Sequence, residues 1–347
     1  AVLLAGCESL DVKNENDPDF ETAFANPSDV KGVAGSLINT WFLEINNQDD
    51  PWASPASMLF VGADAATCSW GNFAMRDFSY EPRRAWDNTA AYPNAAYPET
   101  FYKTFFSILS SANDVLVKVE IGNTVIKADN GTDETPMVQS IAHLAQGLTL
   151  GYIGLTYDKA FIVTEYTDKT QKIPTSPYKE VIDTAVMCLD KCIAICNDNE
   201  FTLPSEWIPG MTFTNVEIGE LANTVAAALL SYSPRNKTEN DAVNWTKVKG
   251  YADNGLTYDF APLTDDVSWY AGNLYYNNAT GWGQTDMRIV NMMDSRFPSR
   301  FTDAGTWATL PAATTSHTAG IDDRVFTDFD YLSSCGFRVE RGYYHFS

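Results

Sequence analysis

The sequence predicts a mainly all-α fold, a TPR-like helical scaffold interrupted by long irregular loops. Three observations predict it. Apolar residues recur at helical spacing in several long segments. These segments follow one another closely, as in stacked helix-turn-helix pairs, although they do not keep a strict repeat of about 34 residues. Two other stretches are dense in aromatic residues, Gly and Asn and show little periodicity.

The first helix is predicted over Phe20–Phe42. The sequence Asn26-Pro27-Ser28-Asp29 supplies a break and a cap, and apolar residues follow it at helical spacing. The next stretch, Asn46–Pro98, is predicted to be irregular because Gly, Pro, Asn and Trp interrupt any period. A loop of that length is unusual in a compact domain and is often functional.

Five amphipathic segments follow from residue 98 onward, and each is predicted to be a helix. A turn-rich stretch, Asn123–Pro136, separates the first from the second. The chain becomes irregular and aromatic again over Asp265–Asp286, and Ala312–Ala319 is a low-complexity loop. The five predicted helices are Pro98–Val119, Val138–Leu155, Tyr178–Asn197, Val216–Ser231 and Asp241–Asn254.

The negative net charge of the chain limits the classes of ligand that it can bind. With 45 acidic and 23 basic residues the formal net charge is -22. Nucleic acid is excluded because phosphate binding needs a clustered basic surface. Adsorption to anionic lipid is disfavoured for the same reason. A neutral ligand such as an uncharged sugar meets no such repulsion.

The first residues have the pattern of a bacterial lipoprotein signal. Residues 1–7 end in Leu4-Ala5-Gly6-Cys7, and small residues before a Cys are typical of a signal cleaved to leave a lipidated Cys. Residues 8–19 are polar and suit a tether. We therefore expect residues 1–7 to be a residual signal peptide, Cys7 to be lipidated and the chain to be truncated at both ends. The alternative is a buried apolar strand that ends in a chance Cys.

The other cysteines and the histidines give no metal or catalytic pattern. Cys188, Cys192 and Cys196 repeat every four residues, which predicts small apolar side chains on a buried helix stripe rather than a metal site. Pairing of Cys68 with Cys335 is left open. His143, His317 and His345 are scattered along the chain, and His143 is predicted to be a packing residue. We expect no catalytic residue, metal or cofactor.

Several degenerate motifs, in their order and spacing, resemble the SusD/RagB family of outer-membrane lipoproteins. Two departures are visible: Gln146-Gly147 stands where the family has Ala-Leu-Arg, and the family's final helices are missing. The matching segments are Cys7–Val12, Ser111–Leu116, Ser140–Asp158, Tyr178–Ile182 with Cys188–Asp190, Leu229–Tyr232 with Arg235, and Asn244–Val248.

The resemblance implies a role in nutrient uptake. It implies a right-handed TPR-like scaffold formed by one domain over residues 20–347, with its C-terminal part missing. Such a protein is lipid-anchored in the bacterial outer membrane and faces the exterior. It serves as a lid on a SusC-like TonB-dependent transporter, to which it delivers captured oligosaccharides. Catalysis is not part of that role.

The candidate glycan-binding residues come from the two irregular segments. Sugar rings stack on Trp and Tyr, and their hydroxyl groups bind planar polar side chains such as Asn and Arg. The alternative for each Trp is that it only pins a loop to the core. The candidates are Trp70, Asn72, Arg76, Trp86 and Asn88 in the first segment and Trp269, Tyr275, Tyr276 and Trp282 in the second.

Two other classes of function stay open. A glycoside hydrolase needs two carboxylates about 5–10 Å apart across the scissile bond, and nothing in the sequence singles out such a pair. A TPR-type protein-interaction scaffold would bind its ligand along helix grooves and bury the loop aromatics.

Overall fold

The computed structural model describes residues 24–46, 55–68, 75–78, 87, 89–265, 267–273, 283–299, 319–332 and 343–346. The chain divides into two compact units. The first comprises Ala1–Ile38 and Ile108–Ala261, and the second comprises Asn39–Ser107 and Pro262–Ser347. The single domain predicted over residues 20–347 stays a prediction.

Helices dominate the described residues, which confirms the mainly all-α prediction. A π-helix, Val117–Ile121, continues the fourth helix directly. The α-helices are α1 (Pro27–Asn46), α2 (Pro55–Gly62), α3 (Met75–Phe78), α4 (Ala96–Leu116), α5 (Thr135–Thr156), α6 (Tyr178–Asp198), α7 (Asn215–Tyr232), α8 (Lys237–Asp241), α9 (Trp245–Asp253), α10 (Met287–Met293) and α11 (Arg324–Thr327).

The strands are only three or four residues long and form antiparallel pairs. In the first unit β2 (Lys159–Phe161) pairs with β3 (Thr175–Pro177). In the second unit β1 (Ala66–Cys68) pairs with β4 (Gly283–Thr285), and β5 (Phe329–Leu332) pairs with β6 (Tyr343–Phe346). The described strands therefore form three separate two-stranded sheets.

The first unit is built around α5, which packs against α6 and α7, while α7 also packs against α9. Most residues of α5 are buried, and its three glycines are among them. A Cβ atom on Gly147 would lie 2.5 Å from Leu189 of α6, and one on Gly151 would lie 2.6 Å from Leu229 of α7. Real Cβ atoms do not approach so closely, so the absence of a side chain at these two glycines makes room for the Leu189 and Leu229 side chains.

Helix α6 carries the repeated cysteines on its buried face. Cys188, Cys192 and Cys196 are free and at most 4% exposed, as predicted. Burial raises the pKa of the Cys188 thiol to about 12, so this side chain is a neutral packing group. The side chains of Cys68 and Cys335 lie outside the described residues, and their pairing stays a prediction.

Three predictions of secondary structure were wrong in detail. Helix α1 begins at Pro27, where Asp29 accepts a hydrogen bond from the Asn26 backbone N–H at 3.1 Å, and it runs on to Asn46. The stretch predicted to be irregular contains α2, β1 and α3, which are too short to show a period. The predicted helix Asp241–Asn254 is observed as α9, which begins only at Trp245, because Asn244 caps it by accepting a hydrogen bond from the Lys247 N–H. Helix α8 is a separate short helix that ends at Asp241.

The second unit has a small apolar core of its own. Val290, Met293, Phe297 and Val325 form its centre, and they bring α10 and α11 together. Asp286 caps α10 by accepting a hydrogen bond from the Arg288 backbone N–H at 2.9 Å. This unit holds the described parts of both irregular aromatic segments.

Within the described residues, no helix combines the length and the apolar character needed to cross a membrane.

Candidate functional site

Several residues that carry the family resemblance meet at one place in the first unit, which we call the Arg235 junction. The Arg235 guanidinium donates to the carbonyl oxygens of Gly154 and Tyr157, at 3.2 and 2.9 Å, and to the Asp158 carboxylate. It also lies 3.8 Å from the centre of the Tyr178 ring. The end of α5, the start of α6 and the end of α7 are therefore joined through one side chain.

Glu239 of α8 completes this junction. Its carboxylate accepts hydrogen bonds from the Tyr178 hydroxyl at 2.5 Å and from the Arg235 backbone N–H at 2.8 Å, and Lys179 lies 3.0 Å away. These donors hold the pKa of Glu239 at about 2. The charge on this carboxylate therefore helps to fix the connection after α7.

We expect the junction to make folding sensitive to acid. The pKa of Glu239 is lower in the folded chain than in the unfolded chain. Its contribution to the free energy of unfolding is therefore complete above the ordinary Glu value near 4.5 and is lost as pH falls towards about 2. The Glu239→Gln variant should be less stable than the wild type at pH 7, and the difference should shrink across that window. Urea unfolding from pH 7 to pH 3 at low salt measures it.

The Tyr178→Phe variant is the companion test, since the Tyr178 hydroxyl is the largest cause of the lowered pKa. This variant should reduce the pH dependence of the free energy of unfolding without abolishing it. Parallel stability curves for the wild type and Glu239→Gln would contradict the assignment.

A second polar site lies deeper in the first unit, between α4, the π-helix, α5, α6 and the loop after β2. Its side chains are polar or charged, yet most of them are buried. His143 is 1% exposed, and the Glu165 side chain is fully buried. We call it the Glu165 cluster, and it comprises Asn113, Glu120, His143, Gln146, Glu165, Tyr166 and Lys191.

A chain of hydrogen bonds fixes the orientation of both amides in the cluster. The Asn113 Nδ2 donates to the backbone carbonyl of Val163 at 3.1 Å, so its Oδ1 must accept. The Gln146 Nε2 donates to that oxygen at 2.6 Å and to the Glu165 Oε2 at 2.7 Å. The remaining Gln146 oxygen therefore faces His143 as an acceptor.

The same logic fixes the tautomer of His143. Its Nδ1 lies 2.8 Å from the Gln146 Oε1, which can only accept, so Nδ1 carries a proton. Its Nε2 lies 2.8 Å from the Glu120 Oε1, and one proton is shared between these two atoms when the pair is closed. The burial predicted for His143 is confirmed, but its packing role was incomplete, since both ring nitrogens have polar partners.

The outer side of the cluster is cationic and aromatic. Lys191 of α6 donates to the Glu165 Oε1 at 2.7 Å, and its ammonium lies 5.2 Å from the Tyr166 ring centre. The Tyr166 hydroxyl donates to the Glu120 Oε2 at 2.9 Å. Lys191 and Tyr166 are themselves 43% and 65% exposed, so the cluster reaches solvent through these two side chains.

Both carboxylates in the cluster are ionised at neutral pH. Burial by itself would raise the pKa of Glu120, but its bonds to His143 and Tyr166 lower it below the usual range. In the same way the bonds from Lys191 and Gln146 outweigh burial and lower the pKa of Glu165. The Glu120 bond in turn raises the pKa of the Tyr166 hydroxyl.

The cluster also brings together three potential metal ligands that the sequence analysis did not connect. One oxygen each of Glu120 and Glu165 and one ring nitrogen of His143 lie within 4.8 Å of one another. They are about one helix length apart along the chain and show no ligand spacing. The one signal was the spacing of His143 and Gln146, which lie three residues apart on one face of the predicted helix.

Of the residues predicted to bind a glycan, Trp269 is the one whose side chain the structure describes. It is 3% exposed, and its ring centre lies 5.0 Å from that of Phe42. This burial is what the loop-pinning alternative expects. Arg76 lies on α3, but its side chain is outside the described residues. Also outside them are Cys7, Trp70, Asn72, Trp86, Asn88, Tyr275, Tyr276 and Trp282.

Comparison of the chain with protein-family models, with curated proteins and with solved structures found no match in any of the three.

Proposed function

We propose that this chain is a cell-surface glycan-binding lipoprotein of the SusD/RagB type, which captures oligosaccharides for a SusC-like TonB-dependent transporter. In this proposal Cys7 carries the lipid that anchors the chain in the outer membrane, and residues 8–19 are its tether. The described helices act as the scaffold, and the aromatic segments outside them bind the sugar.

The Arg235 junction is the observation that carries the proposal. Arg235, Tyr178 and Asp158 belong to three separate family-like segments, yet they contact one another in space. All three lie where consecutive packed helices of the first unit begin or end, next to the end of α5, at the start of α6 and next to the end of α7. The convergence supports a helical scaffold whose recurring residues serve to join consecutive helices.

The charge and the burial pattern favour a binder of neutral glycans over an enzyme. With a net charge of -22 the surface repels polyanions. The carboxylates of Glu120 and Glu165 are close together, but Glu165 is fully buried and bonded to Lys191 and Gln146. A sugar bond cannot reach a carboxylate in that position, so this pair is not suited to glycoside hydrolysis.

The tryptophans in the aromatic segments provide the test. If Trp86 and Trp282 stack on sugar, alanine at either position should weaken binding of a neutral polysaccharide by roughly 1–3 kcal/mol. Affinity electrophoresis of the purified chain in starch, xylan, mannan or laminarin gels measures this from the retardation at increasing polysaccharide concentration.

Two tryptophans serve as matched controls. Trp245 is 48% exposed on α9 and outside the predicted binding segments, so Trp245→Ala should leave retardation unchanged. Trp269→Ala should lower the stability of the second unit, since this ring is buried. Equal retardation of the wild type, Trp86→Ala and Trp282→Ala would remove both residues from the proposed site.

A further inference from the structure

We propose that Glu120, His143 and Glu165 form a binding site for a divalent transition-metal ion of the zinc type. One nitrogen and two carboxylate oxygens are a ligand set that such ions accept, with the fourth position open. The three atoms come from the π-helix, α5 and the loop after β2, and they already lie within 4.8 Å of one another.

The surroundings of His143 are those of a metal ligand. Metal-binding histidines donate their second ring N–H to a fixed acceptor, which orients the ring and sets the tautomer. Gln146 does this for the His143 Nδ1, and Asn113 and Glu165 hold the Gln146 amide in turn. The Nε2 atom is thereby directed at Glu120, where a metal ion would take the place of the shared proton.

The position of Glu120 is a second, independent indication. It lies on the π-helix Val117–Ile121, and such turns are rare and frequently mark functional sites. Its other oxygen is held by the Tyr166 hydroxyl at 2.9 Å. A π-turn at the end of α4 therefore places a carboxylate that has its own supporting hydrogen bond.

The charges of the cluster leave room for a cation. In the closed cluster the two carboxylates face the Lys191 ammonium and the proton that His143 and Glu120 share, so replacing that proton by a metal ion keeps a positive charge between the carboxylates. Lys191 is 43% exposed, and its flexible side chain can turn into solvent when an ion arrives. In the closed cluster the Lys191 ammonium provides a positive charge next to Glu165 that a bound metal ion would replace.

The closed geometry has to open slightly to accept the ion. Two ligands of one tetrahedral zinc ion lie about 3.3 Å apart, whereas the His143 Nε2 and the Glu120 Oε1 are 2.8 Å apart. A movement of about 0.5 Å by the Glu120 side chain, which is 16% exposed, separates this pair. Ligand atoms as far as 4.8 Å apart have to move closer together by roughly 1 Å or more to complete the site. On binding, the proton shared by this pair is released to solvent.

Titration of the full chain with Zn²⁺ by calorimetry tests the proposal. We expect one site per chain that is at least about tenfold tighter than any background site. Because a proton is released on binding, the measured heat should vary with the ionisation enthalpy of the buffer. The variants His143→Ala and Glu120→Gln should lose this site. His317→Gln should keep it, which controls for histidines elsewhere. Gln146→Leu should weaken it by about 10–100-fold, because the ring loses its support.

The Lys191→Met variant distinguishes a metal site from a cluster that only forms ion pairs, because it removes the competing ammonium and keeps all three proposed metal ligands. If Lys191 competes with the metal, this variant should bind Zn²⁺ about tenfold more tightly than the wild type. Zn²⁺ should also raise its melting temperature more than that of the wild type. Zinc binding that is the same in the wild type and His143→Ala, or that is weaker in Lys191→Met, would overturn the proposal.

Discussion

The Gly151→Leu substitution is expected to lower the free energy of unfolding of the first unit by roughly 3 kcal/mol or more. The Cβ atom alone would lie 2.6 Å from both methyl carbons of Leu229, and a leucine adds three further carbons to this crowded position. Overpacking of a dense interface typically costs about 1–3 kcal/mol and sometimes exceeds it. The better helix propensity of Leu offsets only about 1 kcal/mol of this cost.

Urea unfolding of the wild type and the variant measures this loss. Gly250→Leu on α9 is the matched control, since nothing lies within 4 Å of a Cβ atom there. It should be neutral or should raise stability by up to about 1 kcal/mol. An equal effect at the two positions would show that α5 and α7 are not in the close contact described.

The Lys191→Met substitution, measured with a chelator present, is expected to cost about 1–3 kcal/mol. It leaves the buried Glu165 carboxylate with the Gln146 amide but without its cation. Breaking a fully buried ion pair typically costs about 3–5 kcal/mol. The loss should stay below that range, because Lys191 is 43% exposed and water already screens part of the interaction.

Two further variants show whether the loss comes from the uncompensated charge. Adding Glu165→Gln to Lys191→Met should recover part of the stability, because it removes the unpaired carboxylate. Lys249→Met should cost no more than about 0.5 kcal/mol, since the Lys249–Asp253 pair is exposed on α9. If Lys191→Met costs no more than Lys249→Met, the ion pair with Glu165 contributes little.

The main helices of the first unit were predictable from sequence. Each of α5, α6 and α7 is long enough for its apolar positions to reveal the period, and their predicted ends differ from the observed ones by only a few residues. Short elements were missed. Helix α2 has only eight residues and is apolar nearly all round, so it shows no polar face from which to recognise a helix.

The Glu165 cluster could not be predicted in the same way. Its members come from five segments, and each by itself has an ordinary interpretation as a surface or packing residue. Only the close approach of α5 and α6, which Gly147 permits, brings Gln146 and Lys191 to the same carboxylate. Local periodicity contains no information about that distance.

The measurement that tests the proposed function most directly is affinity electrophoresis of the purified chain through a panel of neutral polysaccharides, with reducing ends assayed in the same samples. We predict that at least one polysaccharide retards the chain and that no reducing ends are released. Release of reducing ends would identify an enzyme instead. Free migration through every gel of a broad panel would contradict glycan binding and would favour a protein-interaction scaffold.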